Sequence, residues 1–168
     1  MRVRVTAAQT VLAFDFGLKR IGIACGDTLT RSAAPQGAVP AGPAGPDWKA
    51  IARAVHALAP AVLVVGAPYN ADGSEGTLTA SARAFAAELE RRFALPVHLV
   101  DERYSSLEAS AELKERRARG ARGRRLGRSD IDSAAAAVIL GRWFAGEGDD
   151  LSGSERNRAA AGRKGGVR

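Results

Sequence analysis

The chain has 168 residues and a formal net charge of +7, a length that suits one domain and excludes two large lobes closing on a ligand. Its single cysteine and two histidines exclude a disulfide framework and any cysteine- or histidine-rich metal site. No apolar run approaches the roughly 18 residues of a membrane span and the N-terminus does not resemble a signal peptide, so we expect a cytoplasmic protein with no membrane partner.

The first elements predicted along the chain are strands. Residues 1–9 are expected to form a flexible leader, and residues 11–17 (VLAFDFG) read as a strand. Residues 20–26 (RIGIACG) form a second strand, so close to the first that the two predict a hairpin. A third strand is predicted within residues 31–39, before a Pro- and Gly-rich loop at 40–46.

The hydrophobic period then changes to that of a helix. Trp48, Ile51, Val55 and Leu58 recur at helical spacing, whereas residues 61–65 are a short apolar run typical of a strand buried on both faces. The remaining predicted elements are a helix over the stripe from Leu78 to Phe93, a strand at 96–101, a helical stretch at 105–115 and a final helix at 130–144.

Helices that alternate with strands in the second half imply parallel strands joined by right-handed crossovers. We therefore predict an α/β domain over residues 10–145, with a mixed sheet and helices on both faces. The antiparallel hairpin strands come first in this sheet and the parallel strands follow. Residues 146–168 are rich in Gly, Ser and charge and show no periodicity, so we expect a disordered tail.

Acidic residues fall where strands end and where the last helix begins. Asp15 closes an apolar strand, Asp101 and Glu102 end the last strand, and Asp132 starts the final helix. Capping offers a structural alternative, since Asp15 precedes a Gly turn and Ser129-x-x-Asp132 fits a capping box. Converging carboxylates without His or Cys favour Mg²⁺ or Mn²⁺ over zinc, and they suit phosphodiester hydrolysis by two metal ions.

Positive charge is concentrated between residues 116 and 128, which hold seven arginines and no acid. Such a Gly-punctuated cluster is typical of a loop that contacts phosphate, because guanidinium groups pair bidentately with phosphate. A solvated loop without a partner is the alternative. We expect nucleic acid as the partner, with candidate contacts at Lys19, Arg20, Asn70, Arg103, Arg122, Arg124 and Arg125.

Four segments of the chain form a recognisable set of motifs: DFGLKRIGIACGD (15–27), VVGAPYNADGSEG (64–76), DERYSS (101–106) and DIDSAAAAVIL (130–140). In this order and spacing they closely resemble the YqgF/RuvX family, whose members are RNase H-like proteins related to the RuvC Holliday-junction resolvases. The resemblance implies an RNase H-like fold whose catalytic, metal-binding acids are Asp15, Glu102 and Asp132. Whether Asp101 or Asp130 shares the metal is left open.

For function, the resemblance implies a metal-dependent nuclease that matures the 5′ end of pre-16S rRNA, with a precursor of the small ribosomal subunit as its partner. Two alternatives stay open: a DNA endonuclease similar to Holliday junction resolvases, and a non-catalytic rRNA-binding assembly factor. The acids favour catalysis, because carboxylates that face a polyanion are unfavourable unless cations offset them.

Overall fold

A computed structural model describes residues 8–68, 75–101 and 127–146, together with the backbone of residues 149–150. The predicted helical stretch at 105–115 lies outside these residues, as does most of the predicted leader and tail. The described elements are β1 (Thr10–Asp15), β2 (Arg20–Asp27), β3 (Ala33–Gly42), β4 (Gly45–Pro46), α1 (Trp48–Leu58), β5 (Val62–Ala67), α2 (Thr77–Phe93), β6 (Val97–Asp101), α3 (Arg128–Phe144) and β7 (Asp149–Asp150).

The strands form one mixed sheet with the order β4-β3-β2-β1-β5-β6-β7. The strands β1, β2 and β3 pair antiparallel, whereas β1, β5 and β6 pair parallel. This arrangement confirms the predicted fold class. It also brings the carboxyl ends of β1, β5 and β6 to one edge of the sheet, which is where sites form in α/β folds.

Alternation along each strand divides the core between the two faces of the sheet. Leu12 and Phe14 of β1 pack on the side covered by α1 and α2, together with the buried side chains of those helices. Val11 and Ala13 face the other way and pack in a cluster with Ile139 of α3. Helices therefore cover both faces, as predicted. Burial of each large apolar side chain contributes about 1.5–3 kcal/mol, so these two clusters hold α3 and the strand ends in fixed positions.

The predicted loop at 40–46 is instead a tight hairpin. Strand β3 continues to Gly42 and turns back as β4, and Gly45 adopts a φ of +99° in that turn. Pro46 is compatible with this hairpin because β4 is an edge strand of the sheet, where proline is tolerated. The side chain of Asp47 then caps α1 by accepting a hydrogen bond from the backbone N–H of Ala50 at 3.1 Å.

The two ends of the predicted domain are also partly described. The backbone N–H of Thr28 donates to the carbonyl of Gln9 at 2.9 Å, so the last residue of the predicted leader is held against the β2 end. Within the predicted tail, the backbone of β7 pairs antiparallel with β6. Among the residues that the structure describes, no helix combines the length and apolarity needed to cross a bilayer.

Candidate active site

Asp15 is the last residue of β1 and lies half-buried at the edge where the parallel strands end. Because alternate residues of a strand lie on one face of the sheet, Asp15 is on the same face as Val11 and Ala13, which is the face that α3 covers. Its ladder partners are Gly22 of β2 on one side and Gly66 of β5 on the other. Because glycine has no side chain, neither adjacent strand crowds the carboxylate at this level of the sheet.

Asp132 reaches the same place because α3 packs directly on Gly22. A Cβ atom built on Gly22 would lie 2.0 Å from the carbonyl oxygen of Asp132 and 2.9 Å from the backbone nitrogen of Ser133. Only glycine permits so close an approach. Since Gly22 is the ladder partner of Asp15, the backbone of Asp132 lies beside the end of β1 that carries Asp15.

A cation already lies against one of these acids. The Nε of Arg20 is 2.7 Å from Oδ2 of Asp132, and the two side chains are 35% and 24% exposed. Arg20 is the first residue of β2 and lies on the same face of the sheet as Gly22, which is the face that α3 covers. The side chain predicted to contact phosphate is therefore paired with a predicted metal ligand. The neighbouring Lys19 is exposed, and its carbonyl accepts a hydrogen bond from the N–H of Ala41 at 2.9 Å.

The capping box that Ser129 and Asp132 offered as an alternative does not form, and Asp130 caps the helix instead. The helix begins at Arg128, two residues before the predicted start, and Oδ2 of Asp130 accepts a hydrogen bond from the N–H of Gly127 at 3.0 Å. This bond satisfies one of the donors that a helix leaves open at its N-terminus. Asp132 thus lies inside α3, where its side chain is available to the site rather than to the helix end.

Asp101 differs from Asp15 in the face to which it belongs. Asp101 lies on the same face of the sheet as Val97 and Leu99, which pack against α1 and α2. Its backbone carbonyl accepts a hydrogen bond from Nη1 of Arg142 at 2.9 Å. The strand pattern therefore separates Asp101 from the face where Asp15 and Asp132 lie. This placement disfavours Asp101 as a ligand in the same cluster.

The other predicted site residues lie outside the described residues: Glu102, Asn70, Arg103, Arg122, Arg124 and Arg125. Within the described ranges, no group of three or more His, Cys, Asp or Glu side chains is placed to hold a metal ion. Asp15 and Asp132 fit a hard divalent cation by their chemistry, because both offer carboxylate oxygens.

The single cysteine is a poor candidate for nucleophilic chemistry. Burial, and secondarily the nearby charge of Asp27, raise the pKa of the Cys25 thiol. Cys25 also lies on the same face of the sheet as Ile21 and Ile23, and Asp15 is on the opposite face. A protonated thiol on the other side of the sheet cannot serve this site.

The sequence prediction missed the glycines that shape the site. In β2 the residues facing α3 are Gly22, Ala24 and Gly26, and a Cβ on Gly26 would lie 2.8 Å from Cδ2 of Leu140. Small residues at every second position of a strand are a readable signal that another element approaches closely. That signal, combined with the Ala-rich final helix, was sufficient to predict which face α3 covers.

Comparisons with known proteins show what this chain is similar to. A model of the RuvX family, described as Holliday junction resolvase, matches residues 9–146. A protein of Legionella pneumophila with the name "Putative pre-16S rRNA nuclease" is 45% identical over 133 residues, which is 79% of this chain and 93% of the relative. A protein of Pectobacterium carotovorum with the same name is 42% identical over 82% of this chain and 96% of its own length.

Among solved structures, the chain is similar to Thermus thermophilus RuvC in complex with a Holliday junction substrate, with a TM-score of 0.50. The match covers 85% of this chain and 99% of the RuvC chain. The two sequences are 16% identical, so the match shows a likeness of fold alone.

Proposed function

Because the chain belongs to the RuvX family, we propose that it is a divalent-metal-dependent nuclease that hydrolyses phosphodiester bonds in pre-16S rRNA, at the 5′ end of the mature molecule. One observation carries the proposal: Asp15 ends β1 beside Gly22, and α3 places the backbone of Asp132, more than a hundred residues away in the chain, directly over the same glycine. A pair of carboxylates on a protein with net charge +7 is unfavourable for binding a polyanion, unless cations lie between them and the phosphate.

We propose Glu102 as the third acid of the site. In β6, His98 and Val100 belong to the face covered by α3, and successive side chains of a strand alternate between the two faces. Asp101 falls on the other face by this rule, so the strand pattern favours Glu102 over Asp101. With Asp15 and Asp132, Glu102 completes a set of carboxylates suited to Mg²⁺ or Mn²⁺ and large enough to hold two ions.

In such sites divalent cations supply an activated water and neutralise charge on the phosphate. The residues of the chain hold and orient the reactants. Asp15, Glu102 and Asp132 would hold the cations. Lys19, exposed in the turn after β1, offers a charge to a neighbouring phosphate. We expect products with a 5′-phosphate and a 3′-hydroxyl.

The choice of RNA as substrate follows the names of the relatives that are 42% to 45% identical. A branched DNA substrate is the second candidate, and it is supported by the description of the RuvX family itself. The two candidates share the metal site and differ only in what the surrounding basic residues bind. A direct comparison of the two nucleic acids therefore separates them.

The test incubates the purified chain with a pre-16S rRNA leader and, separately, with a four-way DNA junction, each with Mg²⁺, with Mn²⁺ and with chelator. We expect metal-dependent cleavage of the RNA at a defined position, and no cleavage in chelator. Faster cleavage of the four-way junction than of the rRNA leader would indicate that branched DNA is the substrate. Tight binding of the leader without cleavage in either metal would contradict a nuclease and favour an assembly factor.

A separate prediction concerns the Arg-rich segment between residues 116 and 128. Substitution of Arg122, Arg124 and Arg125 by Gln is expected to weaken RNA binding and to flatten its dependence on salt, by about 2 in the slope of log affinity against log salt if all three contact phosphate. Turnover at saturating RNA should stay unchanged. Fluorescence anisotropy over a salt series measures the slope, and an unchanged slope would show that these side chains contact no phosphate.

Point substitutions are preferable to deletion of the whole segment. Gly127 donates the N–H that Asp130 accepts, and α3 begins at Arg128. A deletion through residue 128 would therefore remove the start of the helix that carries Asp132. Loss of activity in such a variant could then result from displacement of Asp132, and it would not show that the arginines bind RNA.

A further inference from the structure

We propose that Arg20 is an internal counter-cation for Asp132, which competes with the metal for this carboxylate and becomes available to a substrate phosphate when the metal binds. The inference rests on the proposed function, because it concerns the regulation of the same metal site. It assigns Arg20 a role beyond simple phosphate contact. In the metal-free protein this arginine suppresses the binding of cations, and in the loaded protein it binds substrate.

The backbone fixes both partners of this pair. Arg20 begins β2, two residues before Gly22, and Asp132 lies on α3 directly over Gly22. Because both residues belong to elements packed by the core, the guanidinium group and the carboxylate face each other without a mobile loop between them. The contact of 2.7 Å between Nε and Oδ2 is a charge-assisted hydrogen bond.

The pair is also exchangeable. Both side chains keep access to solvent, at 35% and 24% exposure, and ion pairs of this kind contribute little net stability. A divalent cation carries twice the charge of a guanidinium group and prefers carboxylate oxygen, so it displaces Arg20 from Asp132 at moderate concentration. The released guanidinium group then has a phosphate as its natural bidentate partner.

Two consequences follow for binding. Metal binding without nucleic acid must break the contact between Arg20 and Asp132, so the bare protein holds metal more weakly than its carboxylates alone would. Metal and nucleic acid also reinforce each other, because each binds better once Arg20 has moved from the carboxylate to the phosphate. This coupling is reciprocal by thermodynamic necessity.

The first test titrates Mn²⁺ into the full chain without nucleic acid, with free Mn²⁺ measured by electron paramagnetic resonance. We expect Arg20→Gln to bind Mn²⁺ about three- to tenfold more tightly than the unsubstituted chain. Arg20→Lys keeps the charge and should bind close to the unsubstituted chain. The matched control is Arg53→Gln, which loses the same charge from an exposed position on α1, across the sheet from Asp132, and should leave Mn²⁺ affinity unchanged.

Equal or weaker Mn²⁺ binding by Arg20→Gln would overturn the inference, because it would mean that Arg20 does not compete with metal. An Asp15→Asn variant separates this failure from failure of the proposed function. If Asp15→Asn weakens Mn²⁺ binding while Arg20→Gln does not tighten it, the metal site stands and the competition falls. If Asp15→Asn also binds Mn²⁺ normally, the metal site itself is misplaced and both proposals fall.

The second test measures the exchange to phosphate, with Ca²⁺ added or omitted and the affinity for a pre-rRNA leader read by fluorescence anisotropy. We expect Ca²⁺ to raise RNA affinity in the unsubstituted chain by about two- to threefold more than in Arg20→Gln, since only the former releases a guanidinium group. An identical effect of Ca²⁺ in both proteins would overturn the exchange.

Discussion

Asparagine in place of Asp15 is expected to lower turnover on the nucleic-acid substrate by about a thousandfold or more while the protein stays folded. The substitution keeps the size of the side chain but removes the negative charge that we propose as a ligand of a divalent cation. Asp15 lies half-buried between two glycines at the end of β1, so the isosteric amide meets no steric obstacle from the adjacent strands. Single-turnover cleavage at saturating Mg²⁺ and substrate measures the effect.

A matched control exists at the other end of the same hairpin. Oδ1 of Asp27 accepts hydrogen bonds from the N–H groups of Leu29 and Thr30, at 2.7 and 3.2 Å. The amide oxygen of Asp27→Asn can accept the same bonds, so this variant makes the identical chemical change away from the site and should keep full turnover. Equal cleavage by Asp15→Asn and the unsubstituted chain would show that the activity belongs to a contaminant or to another site.

Alanine in place of Gly22 is expected to destabilise the protein by about 2–4 kcal/mol and to lower turnover by about a hundredfold. The added methyl group would lie 2.0 Å from the carbonyl oxygen and 2.3 Å from the carbonyl carbon of Asp132. Both are backbone atoms of a helix, so no side-chain rotation relieves the overlap and α3 must shift. A shift of about an ångström carries Asp132 away from Asp15, which is why stability and catalysis fall together.

Urea denaturation measures the free energy of unfolding, and single-turnover cleavage measures the chemical step. The control is Gly141→Ala on the same helix, where an added Cβ meets nothing within 4 Å. That variant should keep its turnover and gain up to about 1 kcal/mol, because alanine is the better helix former. A Gly22→Ala protein with unchanged stability would contradict the close packing of α3 on β2.

The fold was largely predictable because periodicity reports on burial. The apolar run of β1, the alternation in β2, the short apolar run of β5 and the helical stripe of α1 each predicted the element that the structure contains. The hairpin at residues 40–46 escaped prediction, because its prolines and glycines indicate turns equally well in a loop and at a sheet edge. The start of α3 was placed two residues late, because Ser129 and Asp132 imitate a capping pattern that Gly127 and Asp130 supply.

The position of Asp15 was predictable, whereas the contacts around it were not. A carboxylate at the end of an apolar strand indicated Asp15 as a candidate ligand, and β1 does end at that residue. The pairing of Arg20 with Asp132 joins residues 112 positions apart, and no local pattern encodes such a contact. It follows instead from the position of α3 on Gly22, which depends on packing across the whole face of the sheet.

The most direct measurement is an anomalous-scattering map from a crystal of the protein soaked in Mn²⁺. The predicted result is strong density between Asp15 and Asp132, at about 2.1–2.3 Å from carboxylate oxygens of both residues and of Glu102, with Arg20 moved off Asp132. Ordered carboxylates with no Mn²⁺ between them, or Mn²⁺ bound only elsewhere on the protein, would contradict a metal-dependent nuclease at this end of the sheet.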